Sequence, residues 1–292
     1  MRPMSGLPGR PPRVGVCSWS LRAGSACQLA ERVREVGVRC VQIALDPLRR
    51  GESGWAEGQT IDALRGAGIE VVSGMMGMEG EDYSTLESIA RTGGVRPDST
   101  WESNLAAAEE NAQLASRMGL RLVTFHAGFI PHESGRARKV MLERLRTLAE
   151  AFGRRGIRVG FETGQESADT LLAALTELDD LMSGGEAPRV GVNFDPANMI
   201  LYGMGDPARA ARRLAGRIVQ VHIKDAVPAT RSGEWGSEVR VGTGAVDWRG
   251  FFGALRDAGV ECDLVIEREA GEHRVEDARA ALELVGRMGE EA

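Results

Sequence analysis

Glu162, Asp195, His222 and Glu267 each stand at or near the end of a short, β-branched run, at residues 158–162, 190–195, 218–224 and 264–267. Three carboxylates and an imidazole form a ligand set for one divalent metal ion (Mn2+, Mg2+, Co2+ or Zn2+), with positions left for substrate oxygens. Without a cation, converging carboxylates repel, and their pKa values rise until some are neutral. Taken singly, each acid has a simpler explanation as a helix cap or as the partner of an arginine. Four ending consecutive runs on one face favour the ligand set. A metal chelated by a carbonyl and an adjacent hydroxyl acidifies the C–H between them and stabilises the enediolate that forms. Glu162 and Glu267 are the candidate catalytic pair, one removing the proton and the other returning one to the opposite face, which gives epimerisation. Return to the neighbouring carbon gives isomerisation, and loss of a β-hydroxyl gives dehydration. All three share the first step, and the residues do not separate them.

Elements that would position such residues recur along the chain. Eight strand-like runs lie at 13–18, 39–44, 69–73, 121–126, 158–162, 190–195, 218–224 and 264–267. Between them are helical signals. Ser99-Thr100-Trp101-Glu102 reads as a capping box opening a helix to about Met118. Asp247 reads as an N-cap with Val246 and Phe251 as a hydrophobic staple, and Val275, Ala278, Leu282 and Val285 have helical spacing. Glycines 37, 68, 119, 156 and 259 each precede a strand, where a left-handed C-cap is expected. Repeated strand–helix–glycine units imply parallel strands with crossover helices, and eight of them imply a single α/β domain, a (β/α)8 TIM barrel over 13–292. The alternative, an open doubly wound sheet, lacks its Gly-rich fingerprint after the first strand. The connections at 74–100 and 226–246 are long loops after strands 3 and 7, on the side where barrels build active sites. Residues 1–12 read as a disordered tail, with no apolar core for a signal peptide.

Parity splits the strands into two sets. Val123, Phe125, Val159, Phe161, Val192, Phe194, Val221 and Ile223 form the outer, apolar set. Thr124, His126, Gly160, Glu162, Asn193, Asp195, Gln220, His222 and Lys224 form the inner one, with a desolvation cost of about 2 kcal/mol for each unsatisfied polar group. His126 is a candidate substrate ligand, Lys224 contacts substrate or pairs with a carboxylate, and Trp19 is placed to wall a substrate's apolar face or to pack. Trp101 shares that option with packing, Gln165 and Glu166 are within reach of substrate or cap a helix, and Glu269 rivals Glu267 as fourth ligand. Asp225 caps the following loop, Met75, Met76 and Met78 are packing, and His132 and His273 are surface residues.

The 292 residues carry 36 Lys and Arg against 42 Asp and Glu, a net charge of −6. No basic excess is available for nucleic acid, and no run is long and apolar enough for a membrane span. Four histidines and an acidic balance also argue against a multi-zinc apurinic endonuclease. Cys17, Cys27, Cys40 and Cys262 form no CxxC pair and read as reduced thiols of a cytoplasmic protein.

At Phe161-Glu162-Thr163, Asn193-Phe194-Asp195-Pro196-Ala197-Asn198, Val221-His222-Ile223-Lys224-Asp225 and Val265-Ile266-Glu267-Arg268-Glu269 the sequence resembles the xylose-isomerase-like barrel superfamily. Within it, the chain is most similar to the sugar phosphate isomerase/epimerase group that includes ketose 3-epimerases and inosose-converting enzymes. The HxKD element and the Gly242-Thr243-Gly244 turn carry much of that likeness. The resemblance implies one divalent metal on Glu162, Asp195, His222 and Glu267, the two glutamates as acid and base, and a small-molecule sugar or cyclitol substrate. Barrels of this group often pair, so a homodimer or homotetramer is compatible with it. Asn198 stands where ketose 3-epimerases usually carry a substrate-contacting histidine; asparagine still binds a hydroxyl but does not titrate. A lyase acting like an inosose dehydratase and a non-catalytic sugar-binding barrel are the competing readings.

Overall fold

The structure, a computed structural model, describes residues 12–231 and 233–290. Its centre is a closed barrel of parallel strands: β1 (Val14–Cys17), β2 (Cys40–Ala44), β3 (Glu70–Met75), β4 (Leu122–Phe125), β5 (Arg158–Glu162), β6 (Gly191–Phe194), β7 (Ile218–Ile223) and β10 (Asp263–Ile266). Chain order is kept around the barrel, and β10 closes it by pairing with β1 and β7. The principal helices are α1 (Ala26–Val36), α2 (Leu45–Arg49), α3 (Glu57–Gly66), α4 (Leu86–Thr92), α5 (Asp98–Arg117), α6 (Arg136–Gly153), α7 (Ala168–Leu181), α8 (Pro196–Leu201), α9 (Pro207–Leu214), α10 (Trp248–Asp257) and α11 (Arg274–Glu290). The expected TIM barrel is therefore present. The proposed tail falls almost entirely outside the described residues.

The outer apolar set packs beneath the helices. Phe125 meets Phe161 with ring centroids 5.3 Å apart, and Phe194 meets Phe251 of α10 at 5.4 Å. The inner set is polar, and deeper in the barrel its members satisfy one another. Gln42 Nε2 donates to Thr124 Oγ1 (2.8 Å), Ser73 Oγ donates to Gln220 Oε1 (2.6 Å), and Gln220 Nε2 donates to Asn193 Oδ1 (3.2 Å). These bonds offset the desolvation that polar side chains in a barrel interior would otherwise incur.

The two long connections are more ordered than loops. The first contains α4, and the second contains an antiparallel hairpin, β8 (Asp225–Val227) with β9 (Ser237–Val239). Asp225 organises the second. Its carboxylate accepts from the backbone N–H groups of Ala226, Gly242, Gly244 and Val246 and from Trp248 Nε1. A Cβ on Gly244 would lie 2.1 Å from Asp225 Oδ1, so the turn closes on the carboxylate only with glycine there.

Asp247 caps α10 as expected, accepting from Gly250 N, and the five helix-ending glycines all have positive φ. One helix start is corrected. α5 begins at Asp98 with Pro97 as N-cap, so Ser99 lies inside the first turn and no side-chain cap bond forms. The fixed φ of proline (−70° at Pro97) suits an N-cap two residues earlier than the Ser-x-x-Glu pattern suggests.

Candidate metal centre

The ends of β5, β6, β7 and β10 bring Glu162, Asp195, His222 and Glu267 together. One ligand atom from each lies within 4.8 Å of all the others, and all four residues are buried. His222 Nδ1 is 3.5 Å from Glu162 Oε1, 3.8 Å from Asp195 Oδ2 and 3.2 Å from Glu267 Oε2. Bonds of about 2.1 Å to one ion place donors about 3–4 Å apart, so this spacing fits a single centre.

Each side chain of the cluster is held from behind. Thr163, next to Glu162, bridges the backbone of Asp195: its Oγ1 accepts from Asp195 N (2.8 Å) and donates to Asp195 O (3.0 Å). Asp195 is also the N-cap of α8, with Oδ1 accepting from Ala197 N and Asn198 N. The helix-cap explanation therefore holds for one of its oxygens. The other, Oδ2, is buried without a hydrogen-bond partner and faces His222. A buried carboxylate oxygen without a donor is what a cation would satisfy. Glu162 accepts from Asn198 Nδ2 (2.9 Å) and Asn193 Nδ2 (3.2 Å), and Glu267 accepts from Trp19 Nε1 (2.7 Å) and Lys224 Nζ (2.9 Å).

Gln42 orients the imidazole. Its Nε2 points at the Thr124 hydroxyl and the Gly74 carbonyl, so its Oε1 is left to accept from His222 Nε2–H at 2.8 Å. The proton on Nε2 frees Nδ1 to be a ligand. Cys17 Sγ lies on the Nε2 side (3.8 Å) and groups with His222 and Glu267 but not with all four residues, and burial pushes its thiol up to about 12. It is therefore not a member of the same ligand set.

The electrostatics of the cluster favour a cation. Burial pushes Asp195 up to about 6 despite Lys224. Burial also disfavours the charged form of Glu267, but Lys224 and His222 more than offset it and hold the carboxyl well below its usual range. His222 is raised well above its ordinary value, because Glu267, Cys17 and Glu162 outweigh desolvation. Three carboxylates against the ammonium of Lys224 leave two negative charges, which one divalent ion neutralises.

Glu269 is half exposed and pairs with Lys224 (2.5 Å) outside the cluster, so Glu267 is the better fourth ligand. His126 Nε2 is 3.8 Å from Glu162 Oε1, and its Nδ1 is buried without a partner. Trp101 is engaged by Arg144 in a cation–π contact at 5.2 Å, which favours packing. His132 and His273 are exposed. Gln42 was not anticipated as a site residue; its signal was a lone polar side chain between Val41 and Ile43.

The sequence matches the family described as xylose isomerase-like TIM barrel over residues 30–288. A search of curated proteins returns no significant match. Among solved structures, a xylose isomerase domain protein from Planctomyces limnophilus is 32% identical, covers 96% of this chain and 98% of its own, and superposes with a TM-score of 0.84. The probable 3-DHS dehydratase AsbF from Bacillus anthracis is 17% identical over 94% of this chain and 98% of its own, with a TM-score of 0.71. An L-ribulose 3-epimerase is 18% identical over 96% and 95%, with a TM-score of 0.70. The last two are similar in fold alone. Over nearly its whole length, this chain belongs to the xylose isomerase-like TIM barrel family.

Proposed function

We propose that this chain is a divalent-metal-dependent isomerase or epimerase of a sugar or related polyhydroxy carbonyl compound. The observation that carries the reading is the buried cluster in which Glu162 and Glu267 flank His222 Nδ1 at 3.5 and 3.2 Å. A cation held by Glu162, Asp195, His222 and Glu267 supplies positive charge to offset negative charge developing on the substrate's two oxygens.

The protein's own groups divide the proton work. Glu267 is ion-paired to Lys224 and fixed by the Trp19 indole N–H, so it stays ionised most firmly. Glu162 is held by two neutral amides; burial disfavours its charged form, but His126 and His222 keep its carboxyl below the usual value, by less than Glu267's is held down. Two carboxylates of unequal basicity suit removal of a C–H proton by one and its return by the other. His126 Nδ1 is available to a substrate oxygen. Asn198 binds Glu162 directly, so it positions that base and contributes no proton of its own. The likeness to an epimerase and a dehydratase is compatible with either outcome of the shared first step.

Solvent deuterium exchange tests the reading. Metal-loaded protein is expected to exchange one C–H of a ketose or inosose, and Glu162→Gln and Glu267→Gln are each expected to lose about 10²–10⁴-fold in rate. Near-wild-type exchange in either variant removes that residue from the chemistry. Loss of water from the substrate, in place of a rearranged sugar, assigns the lyase outcome.

A further inference from the structure

We propose that Gln165, Tyr202 and Trp235, with Phe129 beside them, form a specificity subsite for the neutral, hydroxyl-bearing far end of the substrate. The proposal rests on the isomerase or epimerase reading of the same barrel mouth and names what that mouth selects.

The subsite adjoins the metal centre through one helix. Asn198 and Tyr202 are four residues apart at the end of α8, so they share a face. Asn198 Nδ2 binds Glu162 Oε1 at 2.9 Å, and Tyr202 lies four residues, about 6 Å along the axis, further along the same helix. That is about the span from the reacting carbons of a six-carbon sugar to its end. The loop after β5 packs on the same face. Gly164 has φ +132°, and a Cβ there would come within 2.4 Å of Asn198 Cβ and 3.1 Å of Tyr202 Cδ2. The next residue, Gln165, is 2% exposed and lies beside the Tyr202 hydroxyl.

Aromatic rings form the walls. Trp235 meets Tyr202 edge-to-face at 4.8 Å, and Phe129 does so at 5.7 Å. The Trp235 segment is pinned to α8 by Gly236 N donating to Leu201 O (3.3 Å). Two buried donors lack an acceptor in good geometry: Trp235 Nε1, and Gln165 Nε2, which lies beside the Tyr202 hydroxyl. Buried donors without acceptors are unfavourable, and a hydroxyl or ring oxygen satisfies them while sugar C–H groups lie on the rings.

The charges select against a phosphorylated end. The Tyr202 hydroxyl senses Glu81 and Glu162 as well as Lys224. Lys224 is already bound to Glu267 and Glu269. A phosphate dianion here would meet carboxylates and find the nearby ammonium engaged, whereas neutral hydroxyls have no such penalty.

The test uses the full-length, metal-loaded protein with free ketohexoses and their 6-phosphates. Deuterium exchange is expected with kcat/KM at least tenfold higher for a free ketohexose than for its phosphate. Trp235→Ala and the near-isosteric Gln165→Leu are each expected to raise KM about tenfold while kcat falls less than threefold. A preference for the phosphate, or KM within twofold of wild type in both variants, overturns the subsite. If wild type exchanges nothing, the isomerase reading fails, and calorimetry decides the subsite alone. Wild-type binding of a free ketohexose, weakened about tenfold in folded variants, then supports it, and no wild-type binding overturns it. Thermal melts confirm that the variants are folded.

Discussion

Replacing Gln42 with leucine tests whether the barrel interior prepares His222 for a cation. In the native arrangement Gln42 Oε1 accepts from His222 Nε2–H at 2.8 Å, and Gln42's own amide is fixed by Thr124 and Gly74. Leucine removes the acceptor without opening a large cavity. Asn193 Nδ2 already lies 3.0 Å from His222 Nε2 and 3.5 Å from Nδ1. With Gln42 gone, Asn193 is free to donate to Nε2, which drives the imidazole proton onto Nδ1, the nitrogen that faces the carboxylates. Ligation then requires the tautomer to be reversed and the ring reoriented. Loss of such an orienting partner costs about 10–100-fold in metal affinity, or about 1.4–2.7 kcal/mol. The assay is a chelator-competition titration with Mn2+ or Co2+ on wild type and Gln42→Leu, with a melt to confirm folding. Affinity within twofold of wild type would refute the argument that this hydrogen bond sets the tautomer.

Two further outcomes follow from buried carboxyls. Glu166 is buried, and desolvation alone raises its carboxyl to about 8, so the folded state keeps a proton that the unfolded chain has lost. Its contribution to stability is fully present below about pH 4.5 and is lost as pH rises through about 8, at up to about 1.4 kcal/mol per unit. Urea melts at pH 6 and 8 are expected to show a shallower loss for Glu166→Gln, and an unchanged slope would contradict the assignment. Asp225→Ala deprives four backbone N–H groups and the Trp248 indole of their acceptor. Denaturant unfolding should register a loss of about 3–5 kcal/mol, and less than 1 kcal/mol would mean that water replaces the carboxylate.

Sequence patterns carried the barrel far because its rules are local and repeated. β5 has the bounds that its β-branched run suggested, and the glycines that end helices take the left-handed conformation only they adopt cheaply. Parity placed Glu162, Asp195 and His222 on the inner set of their strands, where the structure gathers them. What stayed hidden depends on distant partners. Gln42 matters through Thr124 and His222, which are far away in the chain. The β8–β9 hairpin is only three residues a side; it is fixed by Asp225 at the start of β8 and by Glu238, opposite Ala226, accepting from Arg268 Nη1 (2.7 Å). The start of α5 was misplaced because Pro97, one residue before the helix, outranked the Ser-x-x-Glu pattern.

Calorimetric titration of metal-free protein with Mn2+, run beside Asp195→Asn, tests the central claim most directly. Asparagine keeps the oxygen that caps α8 but replaces the unpartnered Oδ2 with an amide that cannot ligate. One ion per chain is predicted for wild type, and at 100 times Kd it should stabilise the fold by about 2.7 kcal/mol. Asp195→Asn should bind at least 100-fold more weakly while melting, metal-free, no lower than wild type. A wild-type protein that takes up no stoichiometric cation, or a variant that binds it equally well, would contradict the account.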